Sequence, residues 1–247
     1  MAMNLIVCAT PDDLAQQAAD SFASCARAAQ QERGRFITAL AGGSTPRNLY
    51  RILAEPRPSD PVPWPATHIV WGDERCLPPE NPRSNYHLAD TALLRHVPIP
   101  AAQIHRVRGE LAPVEAARAY EHELRQLLDP DADALIDLVL LGLGEDGHTA
   151  SIFPGTAAVN DDRNWVVAHK IPTVEVSPWR ITLTPVLLNR ARRVLFLVSG
   201  QRKAAVLQRV LQGEYQPGHL PAQAIRPRGD ITWLVDRAAA SALGDHS

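Results

Sequence analysis

The sequence predicts an α/β fold built on a mostly parallel sheet with crossover helices, and two observations support this prediction. Short apolar runs alternate with segments of helical periodicity along the chain, which is the pattern that strand–helix–strand units produce. Several of the runs are apolar at every position, as expected for strands that are covered on both faces. We therefore expect the strands to lie side by side, with the connecting helices packed against them.

The predicted elements follow one another in order. Thr10 is suited to cap the first helix, Pro11 fits its first position, and Asp13 completes a spacing like that of a capping box. Strands are predicted at Leu5–Cys8, Phe36–Ala41, Thr67–Trp71, Ile104–Val107, Leu135–Leu141, Trp165–Ala168, Arg180–Leu183, Val194–Val198 and Ile231–Val235. Further helices are predicted at Arg47–Glu55, Asn85–His96, Val114–Leu128 and Lys203–Gln212. The proline-rich segment Glu55–Pro65 is interpreted as a surface loop because the alternation continues on both sides, so we expect a single domain over residues 1–247.

Composition limits the classes of partner. Of the 247 residues 21% are charged, the formal net charge is −2 and the pI is about 6.5. This balance argues against nucleic acid or an anionic membrane, but a small anionic substrate needs only a local cluster of positive groups. Cys8, Cys25 and Cys76 are widely spaced, which argues against a disulfide framework and a thiolate zinc site. Because no signal peptide or apolar run of about 18 residues is present, we expect a soluble, cytoplasmic protein with reduced thiols.

The first loop that can carry chemistry is AGGSTP at 41–46, between a buried strand and a helix. Gly42 and Gly43 let the backbone approach a ligand closely, and Ser44 and Thr45 supply hydroxyl groups and can cap the helix. The free amides at such a helix start bind phosphate well. The same residues also suit a plain strand–helix turn, so both interpretations stay open. The loop is not a Walker motif, because GxxxxGK[ST] is absent.

The second loop is WGDER at 71–75, directly after a predicted strand. Side chains at this position reach the sheet edge where α/β proteins bind ligands. Arg75 is suited to anchor an anion or stabilise an oxyanion, and Asp73 can accept hydrogen bonds from sugar hydroxyls. A solvated ion pair is the competing interpretation. Ser84 has the type and position of the N-cap of the next helix.

The third loop, LGLGEDGHTA at 141–150, follows the most apolar strand and contains a literal GxGxxG. We reject a dinucleotide site, because the fingerprint needs a full crossover helix after it and Pro154-Gly155 follow within two turns. His148 is instead a candidate general base, since imidazole titrates near neutral pH. Asp146 can fix its tautomer and support the imidazolium. A histidine that is simply exposed or satisfied in the core is the alternative.

Two basic residues complete the candidate set. Arg180 opens a predicted strand, and Lys203 lies in the first turn of a predicted helix. A lysine there opposes the helix dipole, which indicates an anion nearby unless the side chain is merely solvated.

Five segments together resemble the 6-phosphogluconolactonases, within the larger group that also contains the glucosamine-6-phosphate deaminases. They are ALAGGSTPRNLY (39–50), VWGDERCLPPENPRSNYHLA (70–89), LVLLGLGEDGHTASIFPG (138–155), WRITLTPVLLNRARRVLFLVSG (179–200) and QRKAAVL (201–207). The resemblance implies a Rossmann-like open, mostly parallel sheet with helices on both faces. It implies hydrolysis of 6-phospho-D-glucono-1,5-lactone, in the oxidative pentose phosphate pathway, without a required cofactor.

The resemblance also implies roles for individual residues. His148 matches the family's proposed base, and Gly43, Ser44, Thr45 and Lys203 match its phosphate site. The family's pocket arginines correspond to Arg75 and Arg180. The expected partner is therefore a small phosphorylated sugar lactone, with no nucleic acid and no membrane, bound by a monomer or a small homo-oligomer.

Two alternative functions compete with this one. Glucosamine-6-phosphate deaminases carry a glutamate shortly after the DGH motif and tend to have DEY in place of DER, whereas this chain reads TASIFP at 149–154 and DER at 73–75. A sugar-phosphate-sensing regulatory domain would need an attached DNA-binding module, for which the predicted strands leave no room.

Overall fold

The computed structural model describes residues 3–59, 61–171 and 177–244. Its strands and helices alternate in most of the chain, as predicted. In chain order they are β1 (Met3–Cys8), α1 (Pro11–Arg33), β2 (Phe36–Leu40), α2 (Ser44–Ala54), β3 (Thr67–Trp71), β4 (Asp73–Arg75), α3 (Asn85–Ala92), α4 (Pro113–Leu127), β5 (Ile136–Leu141), β6 (Val166–Lys170), β7 (Trp179–Leu183), α5 (Pro185–Leu188), β8 (Ala191–Val198), α6 (Ala204–Gln212), β9 (Asp230–Asp236) and α7 (Arg237–Ala240).

The main sheet has six strands in the order β1-β9-β8-β5-β2-β3, and every neighbouring pair is parallel. The neighbouring interior strands β2 and β5 are buried at every position. The last residues of β2 and β3, Leu40 and Trp71, lie side by side, and Leu141 at the end of β5 lies beside Phe196 near the end of β8. The predicted open parallel sheet is confirmed, and the loops that follow these strands meet at one edge.

The start of α1 matches its sequence prediction. The Asp13 amide donates to Thr10 Oγ1 over 3.1 Å, and the Thr10 hydroxyl donates to the Asp13 carboxylate over 2.8 Å. Leu14 and Phe22 are fully buried on one face of this helix, which contributes about 1.5–3 kcal/mol per large apolar side chain. No helix within residues 3–59, 61–171 and 177–244 has the length and apolarity needed to cross a membrane.

A second sheet was not predicted. Strands form near the predicted segments Trp165–Ala168 and Arg180–Leu183, but they pair with β4 in a separate antiparallel sheet of order β4-β7-β6. A parallel pair needs a crossover of about a dozen residues or more, and residues 171–178 between β6 and β7 are too few.

The strand predicted at Ile104–Val107 is wrong. This segment forms an isolated bridge from Ile104 to Ile69 of β3. The Val107 carbonyl then accepts a hydrogen bond from the Gly109 amide over 3.0 Å, so the chain turns away before a ladder can form.

Candidate active site

A pocket of about 250 Å³ lies at the edge where the parallel strands end. The ends of β5 and β8 form part of its wall, together with the loops that follow β2, β3 and β5. The structure brings eight of the predicted site residues into its lining: Gly42, Gly43, Ser44, Thr45, Asp73, Arg75, His148 and Lys203. The other two predicted residues, Asp146 and Arg180, are not in the lining.

The loop before α2 has the geometry of an anion site. Gly43 is the N-cap of α2 and has φ 106°, which favours glycine, and no side chain caps the helix. The prediction that Ser44 or Thr45 caps it is therefore wrong, because α2 already begins at Ser44. The first amides of an uncapped helix keep their hydrogen-bonding capacity for a ligand.

His148 is held by Asp146 in a defined orientation. Its Nδ1 lies 2.6 Å from Asp146 Oδ1, which also accepts the His148 backbone amide over 3.1 Å. The imidazole stacks on Phe153 with a centroid distance of 4.0 Å. Because a carboxylate accepts the Nδ1 proton, the neutral imidazole carries its lone pair on Nε2.

The electrostatics of Asp146 agree with this geometry. Burial raises the pKa of Asp146, but the hydrogen bonds and charge of His148 outweigh that effect, so the pKa lies below its usual range. Asp146 is therefore ionised at neutral pH, as an acceptor for an imidazolium must be.

Two glycines of the GEDGH turn make room for this pair. A Cβ atom on Gly144 would lie 2.1 Å from His148 Nδ1 and 2.6 Å from Asp146 Oδ1. Gly147 has φ 86°, and a Cβ atom there would lie 2.6 Å from Leu220 Cδ2. The turn thus needs glycine for steric reasons, without a dinucleotide ligand.

Asp73 and Arg75 point from β4 toward the pocket. The buried Asp73 carboxylate accepts hydrogen bonds from Ser151 Oγ over 2.6 Å and from Asn85 Nδ2 over 3.0 Å. Arg75 Nη1 donates to the Arg83 carbonyl, while its buried Nε has no hydrogen-bond partner. A guanidinium that lines the pocket can stabilise negative charge on a ligand oxygen.

Glu74 was overlooked in the sequence, although it lies between two predicted site residues. It is 2% exposed and accepts the Ser84 hydroxyl and the Arg75, Asn85 and Tyr86 amides over 2.7–2.9 Å. Burial raises the pKa of Glu74, and these hydrogen bonds oppose the rise. Alternation along β4 directs Glu74 away from Asp73 and Arg75, so it holds the start of α3, where Ser84 is the N-cap, as predicted.

Lys203 lies in a 3-10 turn, Gln201–Lys203, immediately before α6. Burial lowers its pKa, while the charges of Glu145 and Asp146 act in the opposite direction. Behind it, the buried Asp236 accepts the Ser199 hydroxyl over 2.5 Å and the Gly200 amide over 3.0 Å. Asp236, also overlooked in the sequence, thereby fixes the loop that presents Lys203.

Arg180 is placed beside the site. It lies opposite Arg75 in the β4–β7 pair, and its Nη1 donates to the Ser177 carbonyl and to the Trp179 carbonyl. Burial lowers its pKa, and the neighbouring Arg75 charge adds to this effect. Its role in substrate binding stays a prediction.

In the part of the chain that the structure describes, no group of three or more His, Cys, Asp or Glu residues is arranged to hold a metal ion.

The fold and the site define an α/β protein of Rossmann-like topology, with a polar pocket that joins a histidine–aspartate pair, a lysine and an uncapped helix start. The chain belongs to the family of glucosamine-6-phosphate isomerases and 6-phosphogluconolactonases, whose sequence model matches residues 9–233.

Individual relatives agree with this assignment. The chain is 42% identical over 216 residues to the 6-phosphogluconolactonase of Synechocystis sp., covering 86% of each chain. It is 39% identical over 232 residues to that of Rattus norvegicus, covering 93% of this chain and 88% of the relative. The solved structure of 6-phosphogluconolactonase from Trypanosoma cruzi is similar with a TM-score of 0.84 and 32% identity, covering 99% of this chain and 98% of that one.

Proposed function

We propose that this protein hydrolyses 6-phospho-D-glucono-1,5-lactone to 6-phospho-D-gluconate, the second step of the oxidative pentose phosphate pathway. The family and the names of the relatives support this function. The observation that carries it is that His148, Lys203 and the Gly42–Thr45 loop line one pocket. A base and an anion site thus lie within the reach of one phosphorylated sugar.

Binding begins with the phosphate. The free amides and hydroxyls of the Gly42–Thr45 loop surround it, and Lys203 supplies a positive charge. Asp73 accepts a hydrogen bond from a sugar hydroxyl. This binding energy, remote from the reacting carbon, orients the lactone carbonyl toward His148.

The chemistry is general-base hydrolysis. His148 Nε2 takes a proton from a water molecule, whose oxygen attacks C1 of the lactone. Arg75 or loop amides stabilise the negative charge that develops on the carbonyl oxygen. The tetrahedral intermediate collapses as the C1–O5 bond breaks, and His148 returns its proton to O5. Asp146 orients the imidazole and stabilises the imidazolium in between.

Hydrolysis by these side chains calls for no cofactor. The substrate is a small molecule, and we expect the protein to bind it as a monomer or as a small homo-oligomer. We also propose that one domain over residues 1–247 carries the function and that the protein works in the cytoplasm.

The lactonase is favoured over a glucosamine-6-phosphate deaminase. The relatives from Synechocystis sp., Rattus norvegicus and Trypanosoma cruzi are all named 6-phosphogluconolactonase. In addition, the six residues after His148, TASIFP, contain no glutamate, so the carboxylate expected in a deaminase at this place is missing.

A coupled assay tests the function. Glucose-6-phosphate dehydrogenase generates the lactone, and 6-phosphogluconate dehydrogenase reports its opening as NADPH. We expect the protein to accelerate the second phase far above the buffer blank, which corrects for spontaneous hydrolysis. Ammonia release from glucosamine 6-phosphate without lactone opening would contradict the proposal.

A further inference from the structure

Asn85 belongs to the pocket, although the sequence motifs did not single it out. It is the first residue of α3, it lines the pocket beside Gly42 and Asp73, and it is 1% exposed. A buried carboxamide in a polar pocket is costly unless its donors and acceptors have partners.

The hydrogen bonds fix which way the amide points. Asn85 Nδ2 donates to the Asp73 carbonyl over 2.8 Å and to Asp73 Oδ1 over 3.0 Å. The backbone amide of Asn85 donates to Glu74 Oε1 over 2.7 Å. Both partners of Nδ2 are acceptors, so the amide cannot be flipped, and the buried Oδ1 is left without a hydrogen-bond partner.

This oxygen is directed at the loop before α2. A Cβ atom on Gly42 would lie 1.9 Å from Asn85 Oδ1 and 2.5 Å from its Cγ. Gly42 is not among the glycines with positive φ, so its backbone does not require glycine. The contact with Asn85 supplies the steric reason for a glycine at this position.

Asn85 thus connects parts of the site that are distant in sequence. Asp73 is held on one side by Ser151, from the segment after the His148 turn, and on the other by Asn85. Asn85 in turn contacts Gly42 at the start of the Gly42–Thr45 segment, here called the phosphate loop. We propose that Asn85 is a positioning residue that orients the Asp73 carboxylate toward the sugar and sets the shape of the phosphate loop through Gly42.

This proposal rests on the proposed lactonase function. A double-mutant cycle tests the part that links Asn85 to the phosphate loop through Gly42. Gly42→Ala should lower kcat/KM by about tenfold or more, because the new methyl group meets the Asn85 amide. In Gly42→Ala/Asn85→Ala the obstacle is gone, so the double variant should lose much less than the product of the two single losses. Losses that multiply independently would overturn the proposal.

Ser84→Ala is the matched control for this cycle. Ser84 caps the same turn of α3 and is equally buried, at 2% exposed, but its hydroxyl bonds Glu74 and the His87 amide, away from Gly42 and Asp73. It should not relieve the Gly42→Ala defect. Relief by Ser84→Ala would assign the effect to general loosening of α3 and contradict the proposal.

Asn85→Asp tests the second part of the proposal, that Asn85 orients the Asp73 carboxylate. The new carboxyl would face Asp73 over about 3 Å, where two carboxylates share one proton and one pKa rises. The charged groups of β4 near this position are Asp73, Glu74 and Arg75, and His148 and Lys203 line the same pocket as Asn85. The ratio of variant to wild-type kcat/KM should therefore rise about tenfold between about pH 8 and about pH 5.5. A ratio that stays constant with pH would overturn the claim that Asn85 orients Asp73.

Failure of the proposed function remains distinguishable. The affinity of the same cycle of variants for inorganic phosphate reads the Gly42–Asn85 coupling without any lactone. If the wild-type protein opens no lactone, the proposed function fails, whereas non-additive phosphate affinities would still support the coupling and additive ones would overturn it.

Discussion

Gly144 and His148 are matched in shape, since a Cβ atom on Gly144 would lie 2.1 Å from Nδ1 of the imidazole. That nitrogen forms the hydrogen bond with Asp146. The histidine–aspartate pair can therefore keep its geometry only if residue 144 has no side chain. The turn after β5 is therefore built around the position of one ring.

Gly144→Ala should displace the imidazole from Asp146. Misplacement of a catalytic group by about 1 Å costs about 10²-fold in rate, so we expect a loss of that order in kcat. Gly218→Ala is the control, because nothing lies within 4 Å of its Cβ position and it does not line the pocket. The steady-state lactonase assay compares the two, and equal losses would contradict the steric role of Gly144.

Asp146→Asn should lower kcat by about 10²–10⁴-fold, because an amide no longer stabilises the imidazolium or the productive tautomer. Glu145→Gln serves as the control, since Glu145 is exposed and pairs with Arg202 over 3.3 Å. The kcat values of both variants are measured at saturating lactone. A variant at Asp146 that turns over like Glu145→Gln would remove the aspartate from the mechanism.

Lys203→Met should raise KM and weaken the binding of inorganic phosphate, because the pocket loses its ammonium group. The neighbouring Arg202→Met is the control, since Arg202 is 87% exposed in its side chain and does not line the pocket. Isothermal titration with phosphate measures both variants, and equal affinity in the Lys203 variant and the wild type would contradict the assignment.

The lowered pKa of Lys203 also predicts a pH dependence. Burial favours the neutral amine, so the ammonium loses its proton at a lower pH than an ordinary lysine does. As the pH rises into the alkaline range, phosphate affinity should therefore start to fall earlier than it would with a lysine of ordinary pKa. Lys203→Arg stays charged over this range, so its phosphate affinity should fall less steeply with pH; parallel profiles would contradict this explanation.

Sequence patterns predicted the parallel sheet well, because its central strands are covered on both faces and read as continuous apolar runs. They missed the second sheet for a physical reason. β4 consists of Asp73, Glu74 and Arg75, and a short charged strand has no hydrophobic periodicity that would predict it.

The loops at the sheet edge were also predictable, since parallel strands bring their carboxyl ends together. Residues that act by holding other residues in place could not be predicted from the sequence. Glu74 and Asp236 have their hydrogen-bond partners on other elements or in main-chain amides, and no local spacing encodes these contacts. Asn85 looked like an ordinary first residue of a helix, because its partners Asp73 and Gly42 are distant in sequence.

The most direct measurement is the kcat of His148→Ala together with its phosphate affinity, with His122→Ala on the exposed surface of α4 as the control. If His148 is the general base, kcat falls by at least about 10²-fold, while the binding of inorganic phosphate stays near that of the wild-type protein. Turnover of the lactone near the wild-type rate, after subtraction of the buffer blank, would contradict the assignment of His148 as the base.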